Sequence, residues 1–377
     1  MSEYQYVAFR AIDAPVSEKN LEFMERQSSR AEITPWSFDN EYHFGDFRGD
    51  ALEMLRRGYG LHVHYSNFGV HKLMVRLPQG WPDAKAAAPY LDREGVQWKK
   101  DKSGSGGALV VEPFYEAGEL EGLWNLADIV ERLLPLQSEI LAGDLRPLYL
   151  AHLAVALDGN HDPEESTEAP VPAGLSELTS AQRALAEYYD LHHSMLEAAA
   201  QGSPALPARE DADVLHRRWL AKMSAVPKEE WLARWLSGEH APARGELLAE
   251  FRAATGGVRW PTVQLDRTMA ELRTIAAGLQ QKAQQKTVAK AAKEKAKRIA
   301  KIAADPMPTL RETEKLVEQR STDAYRQIAA KLAEVRDALA GTRQAELAAE
   351  QARKLKKANP TLKHLVAELR LAGFLPK

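Results

Sequence analysis

The chain has 377 residues, 45% of them hydrophobic and 27% charged, with a formal net charge of -3 and no cysteine. The missing cysteine excludes disulfides, thiolate zinc sites, iron–sulfur clusters and a cysteine nucleophile, and no apolar run approaches the length of about 18 residues that a membrane-crossing helix needs. Two or three domains with well-filled cores are expected, in the cytoplasm, because the first residues show neither the basic start nor the apolar core of a secretory signal.

Residues 4–12 (YQYVAFRAI) read as a strand, and Ser17 is placed to cap a helix over 18–29. The stretch 31–50 (AEITPWSFDNEYHFGDFRGD) is the densest in information and carries five aromatic side chains. Its β-favouring residues predict one extended segment over 32–44, with Pro35 as an irregularity. Gly45 and Gly49 then mark tight backbone, and Asp50 is a candidate N-cap for a helix over 51–57 that Gly58 ends. A binding surface read here consists of Trp36, Tyr42, His43, Asp46, Arg48 and Asp50. The plainer reading makes the same piece a strand-to-helix turn with a capping acid. Residues 60–66 and 72–77 alternate like strands around Asn67-Phe68-Gly69, a hairpin turn. Residues 96–100 and 109–114 predict a second hairpin across Ser103-Gly104-Ser105-Gly106-Gly107, which has no following Lys-Ser/Thr and so is no phosphate loop. Five or six strands with short helices between them predict an α+β sandwich of the ferredoxin-like type.

From Leu120 onward the pattern is helical. Helices are expected over 121–141, broken or kinked at Pro135, and over 146–157. Residues 158–174 hold five acids and three prolines and read as an exposed acidic linker. Thr179 and Gln182 form a capping-box pattern for a helix reaching about Ala200. Helices near 211–223, 227–237 and 243–254 would enclose a core of Leu215, Trp219, Leu220, Trp231, Leu232, Trp235 and Leu236. Leu265, Met269, Leu272, Ala276, Leu279 and Ala283 follow a heptad seam. A second long helix is predicted over 309–340, another over 344–357, and a last one begins at Pro360 behind Asn359 and ends at Gly373. The expected division is an α+β head at 1–157, the linker at 158–174, a small helical domain at 175–257, and a long antiparallel helical hairpin with C-terminal helices at 258–377.

Few motifs carry chemistry. Gly159-Asn160-His161-Asp162 matches one fragment of the metal-ligand set of calcineurin-like phosphoesterases. The fragments that would complete it are missing; the only Asp-x-His is Asp190-Leu191-His192, on the wrong side, and one fragment does not hold two metals. His62 and His64, two apart on a strand, share one face. With His43, His71, Asp46 or Asp50 they are a candidate divalent-metal site; the plainer reading is an outward polar face. No metal and no cofactor are expected. Residues 281–301 hold eight Lys or Arg against one Glu, which reads as a basic rod with cations on several faces. Lys286, Lys290, Lys293, Lys297, Arg298 and Lys301 are its candidate polyanion-binding residues. In the competing picture these cations are solvated or pair with acids such as Glu312, Glu314 and Glu318.

Tyr4 through Asp13, Ser29-Arg30-Ala31-Glu32-Ile33-Thr34, Asn40-Glu41-Tyr42-His43, residues 45–50, Asn67-Phe68-Gly69, Gly143-Asp144-Leu145-Arg146 and residues 170–175 resemble a family of bacterial proteins of unknown function. The resemblance implies architecture and no activity. Thr268 through Leu272, Ala324-Tyr325, residues 332–339 and 360–373 are similar to the helical tail of bacterial SWIM zinc-finger proteins; the finger itself needs cysteines, so its metal does not carry over. Three functions follow as expectations. The first is a cytoplasmic scaffold or adaptor that binds a protein partner through the head and the helical arm. The second is a nucleic-acid-associated protein using 281–301. The third is an enzyme with a site near His43, Asp46, His62 and His64.

Overall fold

The structure is a computed structural model that describes residues 3–78, 84–91, 94–102, 106–114, 125–157, 162–164, 166–206, 212–238, 240–255 and 260–376. It divides into two compact units, 1–280 and 281–377. The first is α+β and the second is helical, as the sequence patterns predict. The division falls inside a helix rather than at the expected boundary near 257.

The first unit begins with β1 (Gln5–Arg10), α1 (Glu18–Glu25), β2 (Glu32–Ile33), β3 (Ser37–Tyr42), α2 (Ala51–Arg56), β4 (Leu61–Ser66), β5 (His71–Pro78), α3 (Ala84–Ala87), β6 (Val96–Lys100) and β7 (Gly106–Val111). The seven strands form one antiparallel sheet in the order β2-β3-β1-β4-β5-β7-β6. It has one strand more than expected because the segment 32–44 does not stay extended. Thr34 N donates to Ser37 O (2.8 Å), and Ile33 pairs with Phe38, so Pro35 and Trp36 form a tight reversal. The β4–β5 hairpin turns where the sequence predicts, at Gly69, with a φ of +111° that other residues resist.

Every residue of β1 is buried, because both faces of the sheet are covered. On one face Tyr6, Ala8, Leu61, Val63, Leu73 and Val75 meet a large helical layer. That layer comprises α4 (Leu126–Leu133), α5 (Leu136–Leu141), α6 (Arg146–Ala156), α7 (Ser180–Tyr188) and α8 (His193–Ala200). On the other, Val7, Phe9, Phe38 and Met74 meet Met24 of α1 and Met54 and Leu55 of α2. Leu134 and Pro135 separate α4 from α5. The predicted capping box of Thr179 and Gln182 starts α7, and Asp190, at φ +50°, divides the expected single helix into α7 and α8.

Asp162 and Glu164 of the expected acidic linker are exposed, but from Ser166 onward it is not a linker. Ser166, Glu168, Ala169, Val171 and Ala173 are buried. β8 (Val171–Pro172) pairs with β9 (Thr262–Val263), and Thr167 bridges to Thr268. The reason is a buried polar knot. Glu168, fully enclosed, takes hydrogen bonds from Tyr149 and from Arg267. Beside it Arg146 pairs with Asp144 (2.7 Å), donates to Gly174 O and Glu177 O, and stacks on Trp260. Buried charges of this kind persist only when paired and hydrogen-bonded, so the segment is tied into the core despite its acids. Residues 158–161 and 165 lie outside the described residues, and with them most of Gly159-Asn160-His161-Asp162.

The rest of the first unit is α9 (Ala212–Lys222), α10 (Ala225–Leu236), α11 (His240–Thr255) and the first turns of α12 (Met269–Ala304). α11 sits against the sheet: a Cβ on Gly245 would come within 2.2 Å of Pro78 Cβ, so the bare glycine permits the approach, and Arg244 pairs with Asp13. Met269, Leu272 and Ala276 of the heptad seam are buried in the first unit. In the second unit Ile302 joins a core with α13 (Met307–Val317), α14 (Thr322–Ala338), α15 (Leu347–Ala358) and α16 (Lys363–Leu371). The long hairpin expected within 258–377 takes the form of the 36-residue α12 followed by two shorter helices. The second helix breaks because Arg320 adopts φ +48° and Ser321 caps α14 at the amide of Ala324. The last helix starts at Lys363 rather than Pro360, since residues 360 and 361 form a turn. Among the described residues no helix is long and apolar enough to cross a membrane.

Candidate functional site

Three features are built well enough to ask what they do. The first is the surface read around residues 36–50. Trp36 and His43 flank β3 at opposite ends, about 20 Å apart at strand rise, so the six residues do not converge. Tyr42 is buried. Asp50 caps α2, its carboxylate accepting from Glu53 N at 2.9 Å. His43 and Arg48 are exposed. Asp46 alone joins the histidines: Gln5 Nε2 donates to Asp46 Oδ1 (2.9 Å) and to Gly45 O (3.0 Å), while Gln5 Oε1 lies 2.8 Å from His64 Nε2. Because the Gln5 oxygen accepts, His64 carries its proton on Nε2.

His62 and His64 do share a face, but it is not the outward one. His62 is 1% exposed, stacks on Phe9 at 4.1 Å between ring centres, and donates from Nδ1 to Ala8 O. Phe47, from the turn that follows β3, packs edge-on against His64 and Phe38 and closes this end of the core. Burial pushes His62 well below its ordinary value, and burial with the nearby Lys72 ammonium lowers His64 to about 4. Both rings are therefore neutral at pH 7. Among the described residues no three of His, Asp or Glu come together as a ligand set.

The second feature is an apolar groove of about 370 Å³ lined by Leu220, Met223, Lys228, Trp231, Leu232, Trp235 and Leu247. The sequence places these helices around a core of their own. Instead, none of residues 213–238 is buried, and Leu232 and Leu236 are 64% and 90% exposed. Trp231, Leu232, Trp235 and Leu236 fall on one side of α10, in two pairs one helical turn apart. Inside the group, Phe251 of α11 holds His216 and Trp219 edge-on. The apolar side chains of α10 are left to line the outside. Periodicity reports an apolar face and not what covers it, so the sequence alone places these side chains in a core.

The third feature is the middle of α12. Residues 281–298 are all exposed. At 100° per residue on one continuous helix, Lys282, Lys286, Lys290, Lys293, Lys297 and Lys301 fall within an arc of about 100°. This corrects the expectation of cations on several faces: only Lys295 and Arg298 lie off the stripe. Of the acids expected as partners, Glu312 pairs with Lys331 and Glu314 with Lys354, and Glu318 has no ion pair among the described residues. Arg298 pairs with Glu334, and Lys297 lies 3.6 Å from Glu294. The other cations of the stripe have no ion-pair partner among the described residues. No family model matches the chain, and no curated protein or solved structure matches it.

Proposed function

We propose that this chain is a scaffold or adaptor that holds another protein through the groove formed by α9, α10 and α11. The supporting observation is the apolar side of α10, where Trp231, Leu232 and Trp235 line an apolar depression and Leu232 and Leu236 are mostly exposed among the described residues. Tryptophan is enriched among the residues that dominate binding energy, and Met223 supplies an adaptable wall. The occupant that fits is an amphipathic helix presenting large apolar side chains at i, i+3 or i+4, and i+7. Among the described residues Lys228 is the single charged group lining the groove, and it has no ion-pair partner there. The occupant therefore carries a carboxylate beside its apolar anchors.

The test is site-specific photocrosslinking from position 236 in cells, followed by reconstitution. The crosslinked segment should be an acidic amphipathic helix, and its purified form should bind the full chain. Leu232→Glu should weaken that binding at least about tenfold, the cost of placing a charge in a desolvated apolar contact. Leu232 is mostly exposed, so the melting temperature should hold. Crosslinks only to the chain itself would make the occupant a second copy. Binding indifferent to Leu232→Glu would overturn the groove as the contact.

A further inference from the structure

We infer that the lysine stripe of α12 is a binding surface for the phosphate backbone of duplex nucleic acid, separate from the groove and independent of it. Its six lysines, from Lys282 to Lys301, extend about 28 Å at the rise of an α-helix. They lie wholly within the second unit. Neighbouring lysines stand three or four residues apart, the spacing at which like charges repel. A helix meant only for solvent would alternate signs there. Over 281–301 this one has a single acid, Glu294, at the margin of the stripe. The helix holds without burial because Ala, Lys and Gln fill it, all strong helix formers.

The kind of polyanion follows from what accompanies the lysines. No aromatic side chain lies anywhere in 281–301, so bases have nothing to stack on and single strands are not the target. Within the arc the remaining residues are alanines, Ala283, Ala300 and Ala304, so no large apolar group is placed to enter a bilayer beside the ammonium groups. What remains is a straight row of point charges, suited to phosphates displayed along a rigid rod. Lysine without Arg, Asn or Gln among it reads phosphates and not base edges. Binding is thus indifferent to sequence and driven by counterion release.

The experiment uses the full chain and a labelled mixed-sequence duplex of about 24 base pairs, followed by fluorescence anisotropy. Affinity should be measurable at about 50 mM salt, and log affinity should fall with log salt at a slope of about -5 for six contacts. Lys290→Glu, Lys293→Glu and Lys297→Glu together should lower affinity at least about a hundredfold at roughly 100 mM salt. The decisive pair is Lys293→Glu against Lys295→Glu. Both change the charge by the same amount two residues apart, but only the first lies on the stripe, so only the first should cost about tenfold. Because both side chains are exposed, this pair keeps the test valid even if the triple variant folds poorly. Equal losses from the two, no duplex binding at about 50 mM salt, tighter binding to a single strand, or binding to anionic-lipid vesicles in place of duplex would each overturn the proposal.

Discussion

His64 and His71 show how a residue's charge is set by where the chain puts it. Both titrate ordinarily at 6.5, and burial lowers each to about 4, with Lys72 adding to the effect at His64. A folded value below the unfolded one means that the unfolded chain binds more protons between the two. Stability from these rings is complete above pH 6.5 and is lost as pH falls toward 4, by something on the order of 1–3 kcal/mol for each. The urea midpoint of the first unit should therefore be lower at pH 5 than at pH 7.5. His64→Gln, which can still bond Gln5, should reduce that difference; an unchanged difference would remove His64 from the account. Arg267 carries a second residue-scale prediction. Among the described residues its guanidinium is the only cation bonded to Glu168, whose side chain is fully enclosed. Arg267→Met should destabilise the first unit by about 3–5 kcal/mol by leaving a buried charge unpaired, and adding Glu168→Met should recover most of the loss. Equilibrium denaturation of the single and double variants measures both.

At the scale of elements, α12 and the break between α13 and α14 obey local rules against tertiary ones. Five consecutive like-charge neighbours along the lysine stripe, at about 0.2–0.5 kcal/mol each, cost the isolated helix roughly 1–2.5 kcal/mol. Salt screens such exposed charges. Hydrogen exchange in 281–300 should therefore slow as salt rises from about 10 to about 300 mM, while exchange in β1 stays fixed. Faster exchange at high salt would mean that attractive pairs, not repulsive ones, govern this helix. Arg320 pays a different cost: a left-handed conformation opposes any residue with a Cβ by about 1–2 kcal/mol. Arg320→Gly should therefore stabilise the second unit by about 1 kcal/mol.

Across the whole molecule, two of the three hydrophobic clusters lie in 1–280 and the third in 281–377. Separate cores predict unfolding that is not two-state. Calorimetry of the full chain should resolve two transitions. Arg320→Gly should raise only that of the second unit, by roughly 4–8 °C for a domain of this size, and Arg267→Met should lower only that of the first. A single transition displaced by both variants would show one cooperative body.

The sequence by itself determined what short-range physics controls. Alternation located β4, β5 and their turn at Gly69; Asp50, Thr179 and Gln182 announced their helix starts; and the alanine- and lysine-rich composition made 281–301 helical and basic. These follow from propensity and capping within a few residues. Tertiary structure decided what depends on partners distant in the chain. The alternating His62 and His64 looked outward, but α1, α2 and Phe47 cover that face, because a sheet is buried wherever something packs on it. The acids and prolines of 158–174 looked like a linker, but Tyr149 and Arg267 enclose Glu168, a pairing across 19 and 99 positions that no local signal carries. The apolar face of α10 reads as core from its spacing, yet among the described residues Leu232 and Leu236 on it stay mostly exposed. Periodicity states which side of a helix is apolar; only the arrangement of the other helices states whether that side is filled.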